Sequence, residues 1–314
     1  MASIDSAITP LVSISIISCN QQDYIAEAIE SALTQTYPNV EVVVADDAST
    51  DETQAIIRRY ERAHPGRVRG IFNPARLGIT ANSNVALFAC RGDFVAFMGG
   101  DDVLLPDKIA AQVAWFKVDP RRRVCGHQVE VFYEDGSRPP HDFSPGLMAG
   151  SDAADILRKG FYCACAVMVR TSAMPAAGYE VQLPMVSDHM FWFESMLTNG
   201  SSDGMFGFVP GIHARYRRHA SNFTLRAIDG LSEVIRYYEI VAERYPAFRR
   251  VARRSIVERH YDIGVAQLRL GQHGSARRTL AGVIAQRPLF AKAWVRLVQT
   301  VLPKSRPGLS FSAA

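Results

Sequence analysis

The sequence lacks any run of about 18 consecutive apolar residues, so no segment of it reads as a membrane-spanning helix. Its opening residues, MASIDSAITP, have no basic leader followed by an apolar core, and the expectation is a soluble, non-exported protein. Cysteine is scarce. The five present, Cys19, Cys90, Cys125, Cys163 and Cys165, are odd in number and lack metal-ligand spacing, which argues against a disulfide framework and fits a reducing cytoplasm. Cys163-x-Cys165 lies within the apolar stretch FYCACAVMV and is expected to belong to a core strand, not to a redox or zinc pair. No G-x-G-x-x-G follows the first apolar run, where the chain reads SCNQQDY, and no G-x-x-x-x-G-K occurs. The dinucleotide-binding and P-loop readings therefore fall away. Low-complexity tracts are missing, and aromatic residues do not interleave with basic ones in any recognisable module, so nucleic acid is not an expected partner.

What is present is a globular composition, 48% hydrophobic and 21% charged over 314 residues, enough for one large domain or two smaller ones. LVSISIIS (11–18) is rich in β-branched residues and too short for an ordinary helix, so it is expected to be a buried strand. Ile25, Ile29 and Leu33 recur at i, i+4 and i+8 and predict a helix that ends at Tyr37-Pro38. VEVVVA (40–45) predicts a second buried strand. Ser49, Thr50, Asp51 and Glu52 have the spacing of a capping box, opening a helix that runs to about Ala63 and is stopped by His64-Pro65-Gly66. VRGIF (68–72), a helix from about Thr80 to Cys90, and FVAFM (94–98) complete the alternation. Such alternation predicts a mainly parallel sheet covered by helices on both faces.

After Trp115-Phe116, shorter strand patterns with a turn at Asp135-Gly136 predict a mixed, partly antiparallel second half. Beyond about residue 230 the pattern is helical, and Gly264, Gly271, Ala276, Leu280 and Pro288 fall in the register of one 34-residue tetratricopeptide-like repeat. The expected organisation is a domain over residues 1–228 and a helical region over 229–314. Charge divides the same way. Residues 226 to 306 hold 16 Lys or Arg against 6 Asp or Glu, so the rest of the chain is acidic although the whole carries +4. A solvated helical face accounts for this, as does contact with anionic lipid or a phosphate-bearing acceptor.

Ligands of parallel sheets bind beyond the carboxyl ends of the strands. The first strand ends in Ser18-Cys19-Asn20, the second in Asp46-Asp47 and the fourth in Gly99-Gly100-Asp101-Asp102, so three polar clusters are expected on one rim. Adjacent aspartates repel unless something positive lies near them, which invites a cation. Asp102 as a simple N-cap for the helix that Pro106 opens is the competing reading.

Four stretches, in one consistent order over roughly residues 10 to 225, carry a likeness: PLVSISIISCNQQDYIAEAIESALTQTYPNVEVVVADDASTDET, FVAFMGGDDVLLPDKIAAQ, VSDHMFWFESMLTNG and RYRRHASNFT. They resemble the opening, metal-site, catalytic and closing segments of glycosyltransferase family 2. The resemblance implies a GT-A fold, an α/β architecture with a mixed, mostly parallel sheet flanked by helices, here with a C-terminal helical extension. It implies an inverting, hexosyltransferase-type enzyme that moves a sugar from a nucleotide-diphosphate sugar, a UDP-sugar foremost, to a hydroxyl of a glycan or lipid-linked acceptor. The implied setting is bacterial surface polysaccharide or glycoconjugate synthesis. The expected location is the cytoplasm, at the inner face of the plasma membrane if the basic C-terminal region meets anionic lipid.

Carried over residue by residue, the resemblance places the nucleotide against Ser18, Cys19 and Asn20, with Asp47 accepting from the base and Asp46 beside it. Arg76 and Asn84, in NPARLGITANSN, match a donor-contacting segment more loosely. Asp101 and Asp102 correspond to the site of a divalent cation, manganese or magnesium, with Asp102 as direct ligand. Gly99 stands where the first Asp of the usual D-x-D-D would be, as in the G-D-D variants, and this departure keeps a non-catalytic nucleotide-sugar-binding scaffold open as the alternative. Asp188 matches the general base, although Ser187 replaces the usual Glu before it, and His189 is the rival base. Tyr216, Arg217, Arg218, His219 and Asn222 resemble the segment that closes over the donor, with Arg217 and His219 offered to phosphate oxygens. A nucleotidyltransferase shares the architecture but would show a Gly-rich triphosphate loop near its N-terminus, which this chain lacks.

Overall fold

The computed structural model describes residues 9–143, 152–159, 163–198, 201–202, 204–219 and 227–301. Asn222 lies outside them. The chain divides into two units, Met1–Phe223 and Thr224–Ala314.

In the first unit β1 (Val12–Ser18), α1 (Ile25–Leu33), β2 (Val40–Asp46), α2 (Thr53–Ala63), β3 (Val68–Phe72), α3 (Ile79–Ala89) and β4 (Phe94–Gly99) alternate along the chain. β1 lies between β2 and β4, parallel to both, and β3 extends the parallel run beyond β2. Ile14, Ile16, Val42, Val43 and Val44 are fully buried. A sheet with helices on both faces has no solvent side, so alternation gives way to continuous apolar runs. Each such side chain contributes about 1.5–3 kcal/mol on burial. Parallel pairing also brings the carboxyl ends of β1, β2 and β4 to one edge.

The remainder of this unit is mixed. It comprises β5 (Val103–Leu104), α4 (Lys108–Phe116), β6 (Arg122–Tyr133), β7 (His141–Phe143), α5 (Ala153–Lys159), β8 (Met168–Arg170), α6 (Ser187–Ser195), β9 (Leu197–Thr198), β10 (Ser201–Ser202) and β11 (Met205–Arg218). β8 pairs antiparallel with β4 and β6, β11 runs parallel to β6, and β5 lies antiparallel on β11. The sheet order is β3-β2-β1-β4-β8-β6-β11-β5, with β7 on β6, while β9 and β10 form a separate ribbon. The mixed, mostly parallel α/β sheet is the one the sequence led us to expect.

Three local expectations need correction. Ser49 to Glu52 do not form a capping box: α2 begins at Thr53 with no side-chain cap bond from Glu52, and Ser49 bonds Asp46 and the Asn20 N–H instead. The helix after Pro106 begins only at Lys108, β5 intervenes, and Asp102 caps nothing. Cys165 belongs to a 3-10 turn, Ala164–Ala166, and Cys163 to the residue before it, so the strand is confined to Met168–Arg170.

α4 packs beneath the sheet with Lys108 fully buried, its Nζ donating to Gln112 Oε1 at 2.7 Å. Burial pushes this amine down to about 8. Gln112 Nε2 donates in turn to the carbonyls of Cys125 and Ala166, both at 3.0 Å, and so ties β6 to the 3-10 turn.

The second unit is helical where described: α7 (Ala227–Arg244), α8 (Arg249–Arg269), α9 (His273–Gln286) and α10 (Ala291–Gln299). A Cβ at Gly264 would lie 2.8 Å from Leu280 Cγ, so this glycine permits the close approach of α8 to α9. Val257, Val283, Ile284 and Ala293 form a core against which Tyr261, Phe290 and Leu297 pack.

Candidate functional site at the carboxyl rim of the sheet

Two loops are laced together where β1 and β2 end. Ser49 Oγ accepts the Asn20 N–H at 2.8 Å, Thr53 Oγ1 accepts the Gln21 N–H at 2.8 Å, and Asn20 Oδ1 accepts the Thr50 N–H at 2.9 Å. Asn20 and Ala48, one in each loop, both adopt left-handed backbone at φ 52°. A non-glycine residue in that region costs about 1–2 kcal/mol, which the lacing must offset.

Asp46 and Asp47 divide their tasks. Asp46 is fully buried and accepts from Ser18 Oγ, the Ser49 N–H, Ser49 Oγ and Gln54 Nε2. Those four donors fill the roughly four acceptor positions of a carboxylate, so Asp46 staples the turn between β2 and the loop that follows. Asp47 accepts from the N–H groups of Leu77 and Gly78 at 2.7 and 2.9 Å and from Asn73 Nδ2 at 3.2 Å. It thereby holds the loop 73–78 over the rim with acceptor capacity left. Cys19 donates to the Asp47 carbonyl at 3.2 Å, and Arg76 Nη2 reaches Cys19 Sγ. Ser18, Cys19, Asn20, Asp47 and Arg76 are therefore brought together.

Asn84 is not among them. Its Nδ2 donates to the Tyr179 carbonyl at 3.0 Å and its Oδ1 accepts the Tyr179 N–H at 2.7 Å, so the whole amide clamps another loop.

Beyond β4 lies the acidic pair. Asp102 is buried, and burial first, then the neighbouring Asp101 charge, pushes its carboxyl well above the ordinary range. Bonds from the Arg217 N–H at 3.2 Å and from the Cys165 thiol act in the opposite direction without offsetting this. His219 Nε2 lies 2.9 Å from Asp101 Oδ2, and its ring packs 4.8 Å from that of Tyr24. A Cβ at Gly99 would sit 2.5 Å from Asp101 Oδ1, so the aspartate usual at that position would displace the present arrangement.

Arg217 is tied to the turn that carries the pair. Its Nε donates to the Asp101 carbonyl at 2.8 Å, its guanidinium pairs with Glu27, and it lies 4.7 and 5.0 Å from the Phe132 and Tyr24 ring centres. Buried and held by these partners, it braces the turn that carries Asp101. Tyr24 completes the brace by donating to Glu134 Oε2 at 2.8 Å.

Asp188 opens α6, one-third exposed, with Oδ1 accepting the His189 N–H at 2.8 Å. His189 Nε2 is 3.8 Å from the same oxygen. Ser187, in place of the usual glutamate, is buried and accepts from Thr80 Oγ1 at 2.9 Å, which anchors α6 to the start of α3. The Cys163 thiol, pushed up to about 12 by burial first, also feels both Asp102 and Asp188. The acidic pair and Asp188 thus share one neighbourhood.

Sequence reasoning missed Cys165, Tyr24, Glu134 and Gln21. Gln21 Oε1 is buried, with no hydrogen-bond partner among the described residues. None of these four carries a local signal, since each gains its place only through contact with a distant segment. Among the described residues, no group of three or more His, Cys, Asp or Glu is disposed to hold a metal ion. Two carboxylates on one turn are nevertheless hard oxygen donors of the kind that suit magnesium or manganese alongside phosphate and water. Among the same residues, no helix is long and apolar enough to cross a membrane.

The family profile described as Glycosyl transferase family 2 matches residues 13–175. An uncharacterized Mycobacterium bovis protein is 34% identical over 215 residues, 67% of this chain and 59% of that one, so the chain spans under two-thirds of that relative. The Escherichia coli UDP-Glc:alpha-D-GlcNAc-diphosphoundecaprenol beta-1,3-glucosyltransferase WfaP is 37% identical over 109 residues, 35% of this chain and 42% of the relative. In fold, the chain is similar to S. aureus TarS in complex with UDP-GlcNAc, with TM-score 0.67, 16% identity, and coverage of 92% of this chain and 89% of that one. It is also similar to the Pyrobaculum calidifontis mannosyltransferase PcManGT in complex with GDP-Man and Mn2+, with TM-score 0.61, 18% identity, and coverage of 93% and 80%.

Proposed function

The chain belongs to glycosyltransferase family 2, and from that membership we propose that it moves one sugar, with inversion, from a nucleotide-diphosphate sugar to a hydroxyl. The observation that carries this reading is the Asp101–Asp102 pair, whose second carboxyl is buried and held well above its ordinary range at the rim where β1 and β2 also end. Such a pair is relieved by a positive partner, which fits a divalent cation such as manganese or magnesium held by Asp102, with Asp101 beside it. When bound, that ion supplies Lewis-acid neutralisation of the donor diphosphate.

The residues of the chain do the rest. Ser18, Cys19, Asn20 and Asp47 form the wall against which the nucleotide lies, and the unpartnered Gln21 Oε1 offers it an acceptor. Arg76, exposed on its loop, and His219, beside Asp101, meet the donor from opposite sides. Asp188 takes the proton of the acceptor hydroxyl as that oxygen attacks the anomeric carbon, opposite the departing nucleoside diphosphate. We favour a UDP-sugar, as in the TarS complex, and a glycan or lipid-linked acceptor, the latter as in the name of the E. coli relative. Residues 1–228 carry the chemistry, and 229–314, with the tetratricopeptide-like repeat, serve acceptor or partner. The five free cysteines fit work on the cytoplasmic side. The basic C-terminal region would meet an anionic membrane there.

The test is calorimetric titration with UDP, GDP and dTDP, with manganese and with EDTA, on wild type and Asp102→Ala. Binding of one nucleotide only with metal, abolished in the variant, is the expected result; no binding under any condition sinks the proposal. Asp188→Asn should bind as the parent does and lose turnover. Gly99 supports a second reading, a scaffold that binds nucleotide-sugar without catalysis, and on that reading the parent binds nucleotide but shows no turnover either.

A further inference from the structure

The last helices combine two features that a simple solvated face does not. From Ile263 to Ala314 there is no Asp or Glu at all, against eight Lys or Arg. On α10 and the turn after it, Trp294, Val295, Val298 and Val301 recur at i, i+1, i+4 and i+7 and are 49% to 60% exposed, and Leu289, just before the helix, is 98% exposed. The opposite side of the helix is the packed one, with Ala293 and Thr300 buried and Leu297 against the α8–α9 core. Lys292, exposed, and Arg296, half-buried, lie on the remaining arc. The Trp294 indole N–H donates to the Pro288 carbonyl at 2.8 Å, which fixes the ring while leaving half of it to solvent.

We infer that this stripe is a docking surface for an anionic phospholipid bilayer, on which α10 lies in the plane of the interface. An in-plane helix of this kind needs an apolar stripe with an aromatic anchor, basic neighbours and no opposing charge, and its attraction to acidic headgroups adds to the apolar burial. A second copy of the chain is the weaker occupant, because two surfaces on which basic residues outnumber acidic ones repel when they face one another. Nucleic acid offers nothing to an apolar stripe. The inference deepens the lipid-linked acceptor reading above, since such a surface would hold the chain where that acceptor lies.

The experiment uses the full chain. Sedimentation with large vesicles of phosphatidylcholine alone, or with 30% phosphatidylglycerol as our choice of about a third anionic lipid, is compared for wild type, Trp294→Ser/Val298→Ser and Trp294→Phe. We expect the wild type to bind only the anionic vesicles, the double variant to lose about tenfold or more in partitioning, and Trp294→Phe to retain most of it. Both residues changed, Trp294 and Val298, are exposed, and circular dichroism checks that α10 is intact. Equal partitioning of wild type and double variant, or no binding to anionic vesicles, overturns the inference. So does a wild-type dimer that the double variant converts to monomer without any vesicle effect. Nucleotide titration of the same preparations separates the two proposals: vesicle binding without nucleotide binding refutes the donor reading and leaves the docking surface standing.

Discussion

The same sheet carries a buried carboxylate at each end, and the two are held in opposite ways. Glu41, at the start of β2, would be pushed up by burial alone, but the Ser13 hydroxyl, the Arg91 N–H and the Arg91 guanidinium reverse this and hold its carboxyl below the ordinary range. The bonds are 2.6, 2.7, 2.8 and 3.0 Å long. Asp102, beyond the end of β4, has donors that do not offset its burial and a like charge beside it. A carboxylate whose acceptor sites are filled from inside the fold is part of the scaffold, whereas one left short of donors is waiting for something from outside. Burial is common to both and therefore does not distinguish them.

The sharpest way to break this comparison is to remove each charge. Asp102→Asn should lower turnover by about a thousandfold, equivalent to about 4 kcal/mol, and abolish metal-dependent nucleotide binding. Its melting temperature should stay level or rise, because a carboxyl that burial and the neighbouring Asp101 both oppose is replaced by a neutral amide. Glu41→Ala should do the reverse, costing about 3 kcal/mol of stability by stranding Ser13 and the Arg91 donors, while nucleotide affinity holds. A stability loss in Asp102→Asn equal to that of Glu41→Ala would erase the distinction. Glu41 also sets an acid limb: its carboxyl is lowered on folding, so its contribution is complete above the unfolded value and disappears as pH falls through the folded one. That limb should be missing in the variant.

Lys108 tests the same idea with the opposite charge. It is buried with its Nζ donating to Gln112, and burial lowers its amine from 10.5 to about 8. Between those values the unfolded chain keeps a proton that the folded chain has lost, so stability rises with pH across the window, by about 3 kcal/mol in all. The Cys90, Cys125 and Cys163 thiols, each pushed up to about 12 from 9.0, pull the other way above about pH 9. The readout is therefore the difference between wild type and Lys108→Met in urea titrations from pH 7 to 10. The variant should lack the rise; parallel profiles would show that Lys108 is charged when folded and that something unseen supports it.

Much of this was legible beforehand for a physical reason. β1, β2 and β4 are buried on both faces, so their apolar runs stand out, and parallel pairing then forces their polar ends onto one rim whatever the loops do. The loops themselves were not legible. Ser49 and Glu52 have the spacing of a capping box, but Asp46 and Asn20 compete for Ser49 from across the rim and win. Cys163 and Cys165 read as strand because a 3-10 turn beneath Asp102 is as apolar as a strand would be. Arg217 read as a phosphate ligand, since nothing near it in sequence announces that Glu27, 190 residues away, and the rings of Tyr24 and Phe132 will enclose it. Local pattern reports how a residue is buried, and it is silent about which distant group satisfies it.

Asn84 gives the smallest and most discriminating case. Its amide makes two bonds to the Tyr179 backbone, and the Tyr179 ring stacks on Phe191 of α6 at 4.3 Å and 14°. α6 is the helix that carries Asp188. Asn84→Ala should therefore cost about 1–2 kcal/mol, a melting shift of about 2–8 °C for a domain of this size. Nucleotide affinity should remain within about twofold, because the side chain reaches no part of the rim, while turnover should fall modestly as Asp188 loses some of its alignment. If nucleotide binding weakens about tenfold with the melting temperature unmoved, Asn84 contacts the donor as the resemblance implied. In that event the clamp on Tyr179 must open when nucleotide arrives, and satisfied hydrogen bonds would no longer suffice to tell scaffold from site.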